Sequence, residues 1–310
     1  MANPRIAAVR RELLVRYLDA WAPAALHRSR RVTVALAHAG EDDGGLAEGA
    51  LRALAEFDDL LAGRRLTLVV LTATDDGLAG RLDAVQRALR TPPDLAVHVV
   101  TGEVGRLPAV LAAAGAAGAP TLTVLATADR PAPAPAAFAA FAAGRAAEAL
   151  LLLGDPARTA LDPRAVLRER GHPLVTAVEL VADGDVELVA FGTSSGRGLD
   201  AFKDAMWAVD EFAGVRYRDP RDPAGHLLDV SLTPHPGPLR RELLAHLAAT
   251  GPGTVTELRS FTGTETVYRP ADTNRVLTAL LAAGLVTRSP EHGRLAGDVL
   301  ITPTAAPAEN

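Results

Sequence analysis

Apolar residues recur along the first two thirds of the chain in short blocks that alternate between two periods. Residues 5–27 place Val9, Leu13, Leu14, Tyr17, Leu18 and Trp21 on one side, which predicts an amphipathic helix. Val32–Ala37, Leu66–Leu71, Val97–Val100, Thr121–Leu125 and Ala149–Leu153 are short continuous apolar runs, which predict strands. Helical spacing covers Leu46–Leu61, Leu78–Leu89, Arg106–Ala114 and Phe138–Ala147 between them. Val175–Val181 and Val186–Phe191 predict a strand pair joined by the turn dipeptide Asp183-Gly184, expected as an antiparallel edge. Strands alternating with helices imply a mainly parallel sheet covered on both faces, a doubly wound α/β domain of about 200 residues.

The pattern then changes. Two proline-rich stretches, Asp219–Gly225 and Thr233–Pro238, punctuate the chain, and the second marks the expected domain boundary. It separates residues 1–233 from 234–305, with 306–310 a frayed tail. Leu239–Ala249 reads as a helix. Thr254, with Glu257 three residues on, reads as a capping box for a short helix, Val255–Phe261. Pro270–Ala283 turns Val276, Leu277, Leu280 and Leu281 inward, and Gly284 ends it. Leu285–Arg288 and Asp298–Ile301 predict two short strands around a glycine-containing loop. Three helices followed by a two-stranded wing predict a winged helix-turn-helix domain.

Composition narrows the chemistry. The chain has 310 residues, 48% hydrophobic and 22% charged, enough to bury a real core. Its net charge of −5 makes the whole chain no magnet for nucleic acid, so any such binding needs a local patch. The lack of cysteine excludes disulfides, thiolate metal sites and a cysteine nucleophile. The eight histidines are scattered without ligand spacing, so no metal is expected. The start, Met1-Ala-Asn-Pro-Arg, has no charged-then-apolar leader. The longest apolar region, Pro131–Leu153, is interrupted by prolines, Arg145 and Glu148 and cannot span a membrane. A soluble cytoplasmic protein is the expectation.

A doubly wound fold binds nucleotide-like cofactors at the carboxyl end of its first strand. That places Ala39, Gly40 and Gly44 as the candidate cofactor contacts. The loop also carries Glu41, Asp42 and Asp43, which would repel a phosphate or carboxylate. This trio could hold a divalent cation, although a solvated loop is the simpler reading. The second strand ends Leu71-Thr-Ala-Thr74, and Asp75 and Asp76 come late for a ribose diol. Gly192-Thr-Ser-Ser-Gly196 matches the nucleophile-elbow pattern with Ser194 as nucleophile. No later strands exist to carry its acid and base, and Asp210, His226 and His235 lack strand ends, so an ordinary glycine turn is preferred. In the C-terminal module Arg269, Thr273, Asn274 and Arg275 on the last helix, with Arg288 and Arg294 on the wing, are of the right types for bases and phosphates. Seven arginines face six acids between 231 and 301, so nucleic acid and protein contact both stay open.

Phe191–Asp210 holds one of two Met, one of two Trp and the only Lys, Lys203. Its Gly192-Thr193, Gly198-Leu199 and Lys203-Asp-Ala-Met-Trp-Ala-Val-Asp210, with Tyr217-Arg-Asp219 beyond, resemble the end of the α/β domain in the three-Cys-motif partner (TcmP) proteins. Arg16-Tyr-Leu-Asp-Ala-Trp-Ala-Pro23 resembles, more loosely, the helix before that family's first strand. The resemblance implies a methyltransferase-type α/β domain, S-adenosylmethionine as cofactor, and a radical-SAM-like protein with a three-cysteine motif as partner. Two family motifs have decayed. D-G-F-A-G-P-G aligns with Leu36-Ala-His-Ala-Gly-Glu-Asp42, keeping only Ala39 and Gly40. D-P-F/W-G falls on Ala126-Thr-Ala-Asp129 and keeps nothing in place. The resulting expectation is a methyltransferase-like protein without activity or bound cofactor, acting as a nucleic-acid- or protein-binding partner through its winged helix. The alternative is an active S-adenosylmethionine-dependent methyltransferase with a divergent pocket.

Overall fold

The computed structural model describes residues 3–39, 45–74, 77–128, 130–209 and 214–304. The chain divides into two compact units, Met1–Ser231 and Leu232–Asn310.

The first unit opens with α1 (Pro4–Arg28), capped by the Asn3 side chain on the Arg5 amide and carrying Pro4 in its first turn. Its buried stripe includes the Val9, Leu13, Leu14, Tyr17, Leu18 and Trp21 of the sequence pattern. Then come β1 (Arg31–His38), α2 (Gly45–Ala55), α3 (Asp58–Leu61), β2 (Arg65–Thr72), α4 (Leu78–Leu89), β3 (Leu95–Thr101), α5 (Leu107–Ala113) and β4 (Thr121–Ala128). A 3-10 helix, Pro135–Ala142, leads to β5 (Glu148–Leu153), α6 (Ala157–Ala160) and α7 (Pro163–Glu169). The unit closes with β6 (Leu174–Ala182), β7 (Asp185–Thr193), α8 (Gly196–Ala208), β8 (Arg216–Arg218) and β9 (Leu227–Asp229).

These strands form one sheet in the order β3-β2-β1-β4-β5-β7-β6-β8-β9. The first five are mutually parallel, β7 runs antiparallel to both β5 and β6, and β8 and β9 continue antiparallel. The fold is therefore mixed α/β with a large, mostly parallel sheet. β5 is buried along its whole length, as a central strand covered on both faces must be.

The first unit differs from expectation in its hairpin, its last two strands and the segment before β5. The β6–β7 hairpin turns at Asp183 and Gly184, both at positive φ, as the turn dipeptide requires, but it is no edge. β7 inserts beside β5, and β6 carries β8 and then β9. Those two strands are only three residues each, too short for alternation to register. Their anchor is Glu179 on β6, 6% exposed, which accepts from Arg218 at 2.5 Å and from Arg158 at 2.9 Å. The helix expected over Phe138–Ala147 is instead the 3-10 helix, ended by Gly144 at φ 109°. Prolines precede it, and a three-residue period puts Phe138 and Phe141 on one side, both buried with rings 5.8 Å apart.

α1 is fastened along β7 and β5. Its start meets the hairpin turn through Arg5–Asp183 at 3.3 Å and Asn3–Asp185 at 3.0 Å. Arg10 pairs with Glu187 of β7 at 3.3 Å, both nearly inaccessible. Further along, the Tyr17 hydroxyl donates to Glu148, the first residue of β5. Thr193, at the end of β7, donates to the other carboxylate oxygen at 2.8 Å, and Trp21 lines the same cavity as the carboxyl. Around this carboxyl the Tyr17 ring meets Phe191 and Phe202 edge-on at 5.1 and 5.5 Å, while those two stack at 4.3 Å. Gly198 in the first turn of α8 lies so close to Glu148 that a Cβ there would collide with the carboxyl and crowd the Thr193 hydroxyl.

The second unit contains α9 (Gly237–Thr250), β10 (Gly253–Thr254), α10 (Val255–Glu265), α11 (Asp272–Ala282), β11 (Val286–Ser289) and β12 (Leu300–Pro303). Thr254 and Glu257 form the capping box of α10. The strands make an antiparallel sheet, β10-β12-β11, whose first member is two residues long and was not expected.

Two stability predictions follow from the Glu148 environment. Gly198→Ala should cost about 1–3 kcal/mol by overpacking, whereas Gly80→Ala should gain about 0.5–1 kcal/mol. Gly80 lies in α4 with open space where its Cβ would go. Urea midpoints of the two variants moving in the same direction would refute this placement of Glu148. The second concerns pH. Burial pushes the Glu148 carboxyl above its ordinary value of 4.5, against the pull of its donors and of Arg28. A raised folded-state value makes its contribution to stability full below 4.5 and declining as pH rises through the raised value. Wild type should therefore lose stability relative to Glu148→Gln across that window. A difference in urea midpoint that stays constant with pH would remove the assigned titration.

Candidate functional site

The sheet builds outward from β1 in two directions, through β2 and β3 on one side and β4 and β5 on the other. A switch point of this kind opens a crevice at the carboxyl ends of the strands. β1 ends there in His38, 3% exposed, and the Ala39 amide donates to the Ala126 carbonyl at 2.9 Å. The polar side chains at the neighbouring strand ends are occupied locally. The Thr72 hydroxyl donates to the Thr74 carbonyl at 3.1 Å. Thr127 accepts from the Gly154 amide at 3.3 Å and faces the Leu152 carbonyl at 3.5 Å. Of the three candidate cofactor contacts only Ala39 is described. Gly40 and Gly44, the acids Glu41, Asp42 and Asp43, and Asp75, Asp76 and Asp129 lie outside the described residues. Among the described residues no group of three His, Asp or Glu is placed to hold a metal ion.

Ser194 sits at the opposite end of the sheet, in the connection from β7 to α8. Its neighbour Ser195 caps α8 by accepting from the Gly198 amide at 3.1 Å. Both serines line a cavity of about 350 Å³ with Trp21, Arg28, Arg145 and Glu148, and no histidine lines it. The histidines considered as partners are elsewhere: His226 bonds Asp222 at 2.7 Å in the β8–β9 turn, and His235 belongs to the second unit. Asp210 lies outside the described residues. The glycine-turn reading of this segment thus has a concrete content. Thr193 holds Glu148 and the Ser195 amide, and Gly198 makes room for the carboxyl. Glu148, Arg28 and Arg145 were not singled out as site residues. The available signal was an acid on the boundary of an apolar run that must be a buried strand.

In the second unit the six candidate nucleic-acid contacts divide unevenly. Thr273 is fully buried and donates to Thr262 at 2.9 Å, so it cannot reach a ligand as expected. Its position on α11 faces the core because Val276 and Leu280, three and seven residues on, share that face. Arg269 donates to both Asp272 oxygens, at 3.0 and 3.1 Å, and to the Leu232 carbonyl at 3.0 Å. Arg275 donates to Asp272 at 3.3 Å and to the Pro234 carbonyl at 3.0 Å. Asn274 accepts from Arg259 at 3.1 Å. Arg288 donates to carbonyls of Pro290 and Gly293 at 2.9 and 2.8 Å, closing the loop between β11 and β12. Arg294, in that loop, is exposed. The outward face of α11 carries Arg275, Thr278, Ala279 and Ala282.

No family model matches the chain, and no curated protein matches it. Among solved structures, it is similar to the delta-N METTL16 MTase domain at 13% identity and a TM-score of 0.32, over 57% of this chain and 80% of that one. A second crystal form of the METTL16 MTase domain gives 12% and 0.33, over 57% and 66%. Spermidine synthase in complex with the transition state analogue AdoDATO gives 13% and 0.34, over 62% and 63%.

Proposed function

We propose that this chain is a methyltransferase-like scaffold that no longer transfers methyl groups and that acts as a binding partner through its second unit. The observation that carries the first half is the crevice at the carboxyl end of β1 and β4. Its described residues offer one buried imidazole and hydroxyls already committed to neighbouring backbone. The second strand ends Leu71-Thr-Ala-Thr74 without an acid for a ribose diol. The acid of the first-strand motif and the acid-proline-aromatic turn after β4, both implied by the family resemblance, have no counterpart in place at Leu36 or in Ala126–Asp129. The S-adenosylmethionine-dependent methyltransferase remains the competing reading, favoured by the α/β sheet itself.

The second half reads α9, α10 and α11 with the β11–β12 pair as a winged helix, and protein as its partner. Support comes from Arg269, just before α11, and Arg275 on it, which are held by Asp272 and by backbone carbonyls. What α11 presents outward is short and carries one charge, a surface suited to a protein side rather than to phosphates. A radical-SAM-like protein with a three-cysteine motif is the first partner to try, on the family resemblance.

Calorimetry should detect no micromolar binding of S-adenosylmethionine or S-adenosylhomocysteine to the full chain. Micromolar binding of either would overturn the inactive reading in favour of a methyltransferase. Fluorescence anisotropy with duplex DNA at low salt should show no salt-dependent binding. Such binding, if lost in Arg275→Ala/Arg294→Ala, would replace the protein-docking reading with a nucleic-acid one. Co-expression with the three-cysteine-motif protein should give a complex that Ala279→Glu on α11 breaks.

A further inference from the structure

The cavity at the amino end of β5 has a chemistry that neither the crevice at the carboxyl end of β1 nor the second unit uses. It is assembled from three separate stretches of the first unit. α1 supplies Trp21 and Arg28, the segment before β5 supplies Arg145, and the β7–α8 connection supplies Ser194 and Ser195. Ala146, beside Arg145, is held at φ 52°, a left-handed conformation that an alanine adopts only when its surroundings impose it. The volume of about 350 Å³ lies within the range of small-molecule sites.

Its charges are unbalanced. Neither Arg28 nor Arg145 makes an ion pair with a described residue, and Arg28 spends only its Nε–H, on the Ala24 carbonyl at 2.9 Å. The one acid in the wall, Glu148, is already enclosed by Tyr17, Thr193 and Trp21. Burial pushes that carboxyl above its ordinary value, against the pull of its donors and of Arg28. Arg28 acts on Glu148 through its field without a direct ion pair, and two guanidinium groups facing one enclosed acid across a concave, partly apolar wall leave a positive potential in the cavity. Guanidinium forks match the oxygens of phosphate and carboxylate. Ser195 accepts the Gly198 amide and so keeps its own proton to donate, and Ser194 is exposed at the rim.

We propose that this cavity binds a small molecule bearing a phosphate or carboxylate group, held by Arg28 and Arg145, with Ser194 and Ser195 as hydroxyl donors and the Trp21 side as its apolar wall. The site lies at the strand ends opposite the cofactor crevice, so it stands whether or not S-adenosylmethionine binds and whatever docks on the second unit.

The test uses the full chain and three probes: inorganic phosphate, inorganic pyrophosphate and citrate. Each is titrated by calorimetry and thermal shift against sodium chloride of matched ionic strength. At least one probe should saturate, with its Kd raised about tenfold or more, ~1.4 kcal/mol, in Arg28→Ala and in Arg145→Ala. Arg87→Ala, on the far surface of α4, should leave it unchanged. Both arginines under test are exposed, so their variants are expected to fold, and their unliganded melting curves check this. Saturation by the phosphates alone assigns a phosphorylated ligand, and saturation by citrate alone a carboxylate one. Failure of all three probes above the salt control would overturn the proposal. So would binding that survives both substitutions, or that falls equally in Arg87→Ala.

Discussion

A carboxyl group at the first position of a fully buried strand governs the arrangement of the first unit. Glu148 begins β5, where water cannot reach it freely, and an unpartnered carboxylate there would cost several kcal/mol. The donors that satisfy it come from far along the chain: Tyr17 is 131 residues away and Thr193 is 45. Meeting that demand brings α1, β5 and the start of α8 to one point. The aromatic rings of Tyr17, Phe191 and Phe202 pack around the same point, and Gly198 is fixed by the need to clear it. Arg16–Pro23 and Phe191–Val209 are far apart in sequence and are two sides of one buried carboxyl's surroundings.

This location separates the constraint on folding from the place where a cofactor would bind. Glu148 and its donors sit at the amino ends of the parallel strands, and the crevice lies at their carboxyl ends. Substitutions at His38, Ala126 or Thr127 touch neither the carboxyl nor the ring cluster. A chain can therefore lose the motifs at one end of the sheet while the other end keeps the scaffold intact. Such a separation lets sequence at the carboxyl ends vary without disturbing the core at the amino ends.

The legible part of the fold was the part carried by repetition. The stripe on α1, the run of β5 and the helix of α4 all extend over several periods, and hydrophobic spacing found them. β8 and β9 are three residues each and are held by Glu179 through Arg218 and Arg158, a tertiary cause that no local pattern contains. The segment before β5 has helical composition, but its prolines and the pairing of Phe138 with Phe141 favour three residues per turn. α7 was missed although its signal was present, Asp162 capping with Pro163 following. The candidate site was less legible than the fold. Glu148 reads in sequence as an interruption of an apolar stretch, and only the paired strands show that it is enclosed.

The same electrostatic demand decides how the arginines of the second unit should be read. Asp272 is 5% exposed at the start of α11 and needs compensation. Arg269 and Arg275, three residues before and after it, supply it, and each also satisfies a carbonyl from the segment preceding α9. Spacing of three is legible in sequence as a helical contact. By residue type alone these arginines are candidate nucleic-acid contacts, whereas their geometry makes them counter-ions and loop ties. Moving either guanidinium to a phosphate would strip a buried acid of a partner, and the phosphate contact would have to offset that loss. The rest of the exposed α11 face, Thr278, Ala279 and Ala282, is uncharged and makes no such demand.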